Sequence, residues 1–207
     1  MGVKIVIIGA GSAVFSINLI KDICINRHFE GSTVVLMDVD ERRLTGIHRV
    51  CAKYIEETGV GIRLEKTFDR REALTGADFV LDVALDYGHA RLREGWEIAK
   101  ANGYRFGGSL HVMHDEAFWV NFYQLRLMES IAKDVREICP DAYLMLVANP
   151  VQAGVTYLGR KFPDLKVIGM CHGGYHALEL MDKMGLVTGT ASNEAIVSGA
   201  KTSSSGR

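Results

Sequence analysis

The chain has 207 residues, 48% hydrophobic and 24% charged, with a formal net charge of -1. That length supports one well-buried domain and part of a second. The charge gives no field to draw nucleic acid or an anionic membrane, and no apolar run approaches the roughly 20 residues of a bilayer span. The four cysteines, Cys24, Cys51, Cys139 and Cys171, follow neither Cys-x-x-Cys spacing nor a disulfide framework. With an N-terminus that lacks the organisation of a signal peptide, the expected address is the cytoplasm.

The chain opens on Val3-Lys4-Ile5-Val6-Ile7-Ile8-Gly9-Ala10-Gly11-Ser12, an apolar β-rich run that breaks into small residues and continues as a helical pattern. In a strand, turn and helix of this kind the first glycine makes the tight turn and the second lets backbone approach a pyrophosphate. The helix N-terminus adds N–H donors and a favourable dipole. A side chain at Gly11 would occupy the diphosphate's place. Val14 stands at the third fingerprint position, where glycine or alanine is usual. Phe15, Leu19 and Ile23, with Ile20 and Cys24 beside them, form the expected buried stripe of the helix. Thr33-Val34-Val35-Leu36-Met37 is a second strand closing in Asp38. A carboxylate there accepts from ribose hydroxyls and repels a 2′-phosphate, which favours NAD over NADP. The alternative is an ordinary strand-to-helix turn with a surface aspartate.

Residues 40 to about 57 carry a second helical pattern, with Leu44, Ile47, Val50, Cys51 and Tyr54 on one side and Gly59 at its end. A short strand over 62–66 follows. Asp69-Arg70-Arg71-Glu72-Ala73-Leu74 then reads as a capped turn of helix, with Asp69 as N-cap and Glu72 three residues on, stopped by Gly76. Ala77-Asp78-Phe79-Val80-Leu81-Asp82-Val83 is a fourth strand. Strands and helices alternating in this way specify an α/β fold, a doubly wound, Rossmann-like parallel sheet with right-handed crossovers.

Beyond Val83 an irregular polar stretch carries Asp86, Tyr87, Gly88, His89 and Arg91, placed as a lip of the site. A glycine- and histidine-rich loop over 103–114 leads into a long helix ending at about 138. Phe118, Phe122, Leu125, Ala132 and Val135 stand at core spacing there, and Trp119 and Tyr123 are expected to pack. The fifth strand, Ala142-Tyr143-Leu144-Met145-Leu146-Val147-Ala148, closes on Asn149-Pro150, where proline ends the ladder and opens a helix. The sixth, Leu165-Lys166-Val167-Ile168-Gly169-Met170, delivers Cys171-His172-Gly173-Gly174 to the edge that carries the glycine turn.

The Asn149 amide donates and accepts, which suits a ribose or substrate hydroxyl, and it is equally a turn-forming residue before proline. Cys171 beside a histidine fits a metal ligand, a nucleophile or an inert buried thiol, and spacing leaves all three open. From Leu186 the sequence is small, polar and aperiodic. We therefore expect a dinucleotide-binding domain over 1–185 and a loose tail over 186–207. Limited proteolysis should trim that tail without altering thermal stability, and a protected tail would move the boundary.

Five ordered motifs carry a resemblance: Ile-Ile-Gly-Ala-Gly-Ser, Met-Asp-Val-Asp-Glu-Arg-Arg-Leu, Ala-Leu-Thr-Gly-Ala-Asp-Phe-Val, Val-Ala-Asn-Pro-Val and Ile-Gly-Met-Cys-His-Gly. In register from residue 3 to about residue 184, the chain resembles glycoside hydrolase family 4, the NAD- and divalent-metal-dependent glycosidases related in fold to lactate and malate dehydrogenases. The Cys-His pair is similar to the branch acting on α-glycosides, which includes α-glucosidase, α-galactosidase and α-galacturonidase-like members. The resemblance implies an exception to two-carboxylate glycoside hydrolysis. NAD oxidises the sugar at C3, a base takes the acidified C2 proton, the C1 leaving group is eliminated, water adds, and the hydride returns. A metal, usually Mn²⁺, stabilises the enediolate as a Lewis acid. By the same resemblance Gly9, Gly11, Ser12 and Asp38 are cofactor positions, and Asn149 contacts substrate beside the nicotinamide. Cys171 is the thiolate metal ligand, His172 lies against the substrate, and His176 stands behind it or on the surface. Homo-oligomers are expected of full-length members.

Family members are longer, and their later part supplies an Asn-His motif with the second metal ligand, a tyrosine base and a substrate-covering domain. Here the corresponding stretch reads Ala191-Ser192-Asn193-Glu194-Ala195, and no histidine follows His176. The expectation is the cofactor-binding half of such an enzyme, with the substrate domain largely missing and no turnover by this chain alone. His89, His111 and His114 are the residues that could complete a metal site from the loop side. Two alternatives remain: an NAD-binding module without turnover, and a lactate/malate-type 2-hydroxy acid dehydrogenase. The latter would need a histidine with a carboxylate partner and an arginine for the substrate carboxylate.

Overall fold

Strands of a parallel sheet are covered on both faces and so read as unbroken apolar runs. In the computed structural model, which describes residues 2–86, 89–104 and 118–170, β1 (Lys4–Ile8) sends Ile5 and Ile7 into one core and Val6 and Ile8 into the other. β2 (Thr33–Met37) divides Val34 and Leu36 from Val35 and Met37 in the same way. With β3 (Arg63–Thr67), β4 (Phe79–Asp82), β5 (Tyr143–Leu146) and β6 (Lys166–Gly169) they form a six-stranded, all-parallel sheet in the order β3-β2-β1-β4-β5-β6. The order reverses between β1 and β4, and in open α/β sheets a crevice forms outside the strands' carboxyl ends at that point.

The helices are α1 (Ala13–Ile25), α2 (Glu41–Thr58), α3 (Arg70–Leu74), α4 (His89–Ala101), α5 (Phe118–Ile138) and α6 (Val151–Lys161). α1 and α2 cover the Ile5/Ile7 face with Ile20, Ile23, Cys24, Leu44, Ile47, Cys51 and Ile55. On the other face lie Leu74 of α3, Met128, Ile131 and Val135 of α5, and Leu158 of α6. Cys24, Cys51 and Cys139 are buried free thiols whose pKa burial pushes up, for Cys51 to about 11, so they are inert core. No described helix is long and apolar enough to cross a membrane.

Local signals set the helix ends. The Asp40 carboxylate accepts from the Arg43 N–H at 3.0 Å, and Gly59 closes α2 at φ 68. Asp69 accepts from the N–H groups of Arg71 and Glu72, as the capping pattern predicts. Glu72 does not reach back to the Asp69 N–H. Its carboxylate takes the Thr67 hydroxyl, and Thr67 Oγ1 accepts from Asp69 at 3.1 Å, so a threonine closes the box.

Several expected faces are rotated. Phe15 is 46% exposed, and its place in the core is taken by Ser16, whose hydroxyl donates to the Ala10 carbonyl at 2.8 Å. Val50 is exposed and Ile55 completes the α2 stripe. On α5, Phe122 is 54% exposed and Tyr123 is exposed too, meeting it edge to face at 5.4 Å, while Gln124 is buried. The stretch expected to be irregular past Asp86 turns helical from His89. Its buried positions include Gly95 and Ala99, which are too small to print an apolar period in the sequence.

Charged pairs tie the second layer together. Arg70 Nε donates to Asp134 Oδ2 at 2.7 Å and its Nη2 to Ser130 Oγ at 2.9 Å, fixing α3 on α5. Glu129 of α5 accepts from Lys133 and Lys161 and from the Tyr157 hydroxyl, and these bonds hold its carboxyl down at about 2.

Candidate functional site

The glycine turn lies at the switch point. Gly9 has φ +88, and a Cβ there would stand 2.5 Å from Ala84 Cα, so conformation and space both exclude a side chain. Gly9→Ala is expected to cost roughly 2 kcal/mol of stability. Denaturant unfolding reads this, and an unchanged midpoint would show that the turn adapts. At Gly11 a Cβ would meet Asp38 Oδ2 at 2.8 Å. The residue is small here because the Asp38 carboxylate lies against it.

Asp38 is half-buried at the end of β2. Its Oδ2 accepts from the Gly11 N–H at 2.7 Å and its Oδ1 from the Asp40 N–H at 2.8 Å. Two backbone bonds fix the carboxylate and leave each oxygen a further lone pair for a hydroxyl donor. Ser12 precedes α1 without a side-chain cap bond, and no acidic residue occupies the helix's first turn. The N-terminus thus keeps its donors and positive dipole for an anion.

Gly9, Gly11, Ser12, Asp38 and Asn149 line one cleft of about 1030 Å³. Asn149 reaches it because it follows β5, which ends beside β4, and the chain then enters α6. Val83, Ala84, Leu85 and Asp86, which follow β4, line it as well. Cys171, His172, His176, His111 and His114, and the side chain of His89, lie outside the described residues. Among those described, no group of three or more His, Cys, Asp or Glu side chains could hold a metal ion.

Four further residues shape the cleft without having been expected there. Arg43 and Arg70 line it. Asp82 is 0% exposed, and its Oδ1 accepts from the Ala84 N–H at 3.1 Å while its Oδ2 has no partner among the described residues. Burial pushes its carboxyl up to about 7, against the Ala84 N–H and the charge of Arg70, which pull it down. Gln124, 3% exposed, bonds to the same wall. An acid inside the apolar run of β4 is a visible signal in the sequence. A glutamine at a core position of α5 carries none.

A doubly wound parallel sheet with a glycine turn at its switch point defines a Rossmann-like α/β domain. The chain belongs to family 4 of the glycosyl hydrolases: the model described as "Family 4 glycosyl hydrolase" matches residues 4–187. It is similar to an alpha-glucosidase of Erwinia rhapontici, 31% identical over 179 residues that cover 83% of this chain and 38% of the relative. A 6-phospho-beta-glucosidase of Escherichia coli (strain K12) is 32% identical over 174 residues, covering 82% of this chain and 37% of its own length. Among solved structures, a 6-phospho-alpha-glucosidase from gut microorganisms in complex with NAD and Mn²⁺ shares the fold at a TM-score of 0.67. The identity is 23%, over 83% of this chain and 39% of that one. The chain thus spans about two-fifths of the length of the curated relatives it matches.

Proposed function

We propose that this chain is the cofactor-holding part of a family 4 glycosidase and binds NAD in the cleft at the switch point. The observation that carries the reading is the union of three features in one cleft: a turn that excludes side chains at Gly9 and Gly11, an α1 N-terminus without a side-chain cap, and a carboxylate at the end of β2. Each suits one part of a dinucleotide. The α1 N–H groups receive the diphosphate, Gly11 allows its close approach, and Asp38 accepts from the ribose hydroxyls. Asn149, on the far side of the cleft, orients the nicotinamide end or a substrate hydroxyl. Bound NAD supplies the acceptor for oxidation of the sugar at C3. The described residues supply no divalent-metal centre, and a Mn²⁺ site would rest on Cys171, with His172 against the sugar, both carried over from the family resemblance. Curated relatives include an alpha-glucosidase and a 6-phospho-beta-glucosidase. A preference for α-glycosides therefore rests on the Cys171-His172 pair.

Calorimetric titration with NAD and NADP tests the reading. NAD should bind more tightly, because the Asp38 carboxylate repels a 2′-phosphate. Asp38→Ala should weaken NAD binding by about 1–3 kcal/mol, the loss of a charge-assisted hydrogen bond. Equal or tighter NADP binding would overturn the assignment of Asp38.

A further inference from the structure

Two buried polar side chains grip the loop between β4 and α4 from beneath, and neither has a part in the chemistry above. Asp82 takes the Ala84 N–H on Oδ1 at 3.1 Å, while its backbone carbonyl accepts from Val147 and Ala148 at 3.0 Å each. Gln124 donates Nε2 to the Ala84 carbonyl at 2.9 Å and accepts from the Asp86 N–H on Oε1 at 2.9 Å. Ala84 is therefore held at both of its backbone groups. It is also the residue that Gly9 faces, with 2.5 Å between its Cα and a Cβ built on Gly9. On the other side the N–H groups of Gly9 and Ala10 donate to the Met37 carbonyl at 2.9 and 3.0 Å. The glycine turn thus sits between a wall set by β2 and a wall set by Asp82 and Gln124. Burying a carboxyl and an amide is unfavourable unless they are bonded, and among the described residues their side-chain bonds go to this one loop, with Asp82 Oδ2 left without a partner there.

We propose that Asp82 and Gln124 are positioning residues for the dinucleotide, acting through Ala84 on the glycine turn that receives the diphosphate. The proposal rests on the NAD reading given above. A displaced wall lets the turn relax away from the diphosphate, so affinity falls even in molecules that stay folded.

The test uses the full chain and two readouts: the dissociation constant for NAD, and amide hydrogen exchange at Ala84 and Asp86 without cofactor. Gln124→Leu, close in shape to the native side chain, should weaken NAD binding about tenfold and deprotect the Asp86 amide. Asp82→Ala should act alike at Ala84, while Asp82→Asn, which keeps an acceptor oxygen, should retain the affinity. Folded Gln124→Leu protein that binds NAD as the parent does would overturn the proposal, since a merely structural role lowers stability without changing the constant. If Asp82→Ala does not fold, Gln124→Leu and Asp82→Asn decide alone. If the parent chain fails to bind NAD, the cofactor reading falls. An Asp86 amide still protected in Gln124→Leu would then remove the clamp as well.

Discussion

The purified 207-residue chain, supplied with NAD, Mn²⁺ and reductant, is expected to release no measurable nitrophenol from nitrophenyl α-glycosides. Elimination of the kind the family implies needs a place for the hydride acceptor, a base at the C2 proton and a cation holding the sugar oxygens. On the proposed reading, the cleft offers the first. Among the described residues no cluster could hold a cation. A general base contributes about 10² to 10⁴-fold, and Lewis-acid stabilisation of an enediolate several kcal/mol more. On the expectation drawn from the resemblance, that this chain supplies neither, turnover falls below detection. The assay is run at several Mn²⁺ concentrations with Cys171→Ser as control. Metal-dependent release that disappears in the variant would show instead a complete active site, assembled with help from the loop histidines.

Asp82 should make stability depend on pH in a direction opposite to ordinary carboxylates. Its carboxyl stands at about 7 when folded, against 3.8 as the ordinary value, because burial penalises the charged form. Below the unfolded value both states hold the proton and its contribution is fully present. As pH rises through the folded value, the native state must bury a charge, and the contribution is lost. The facing charge is Arg70 of α3, itself paired with Asp134 of α5. The stability of Asp82→Asn relative to the parent should therefore increase by roughly 4 kcal/mol between about pH 4 and about pH 8. Unfolding by denaturant at a series of pH values measures the difference. Glu129, held down at about 2, loses its contribution only as pH falls below its ordinary range, and it is common to both proteins. A difference that stays flat with pH would mean that Asp82 is ionised and solvated in the native state.

Much of this architecture is legible in short stretches of chain. Ile5-Val6-Ile7-Ile8 and Val34-Val35-Leu36-Met37 are strands because alternate residues feed two cores, and both cores are present. Asp69, Gly59 and Gly76 mark helix ends through bonds or φ values that depend on immediate neighbours. The glycine turn and Asp38 are recognisable for the same reason: their spacing reflects the length of one strand, one helix and one further strand. Five of the expected site residues, Gly9, Gly11, Ser12, Asp38 and Asn149, accordingly line one cleft.

Side-chain facing is another matter, because a helical period specifies a stripe but not the angle at which it meets the sheet. Phe15 and Phe122 lie at helical spacing from core residues and still face outward, while Ser16 and Gln124 take the buried positions. Both of those polar side chains are buried because a carbonyl stands in reach, that of Ala10 for Ser16 and that of Ala84 for Gln124. The clamp on Ala84 joins residues 40 positions apart, and the Arg70–Asp134 pair joins residues 64 apart. No local pattern encodes such pairs, since they exist only once β4 and α3 lie against α5. The strand-turn-helix signature and the acid at the end of β2 are thus properties of the chain read locally. The wall against the turn, and the titration of the acid beneath it, arise from long-range packing that closes water out around Asp82.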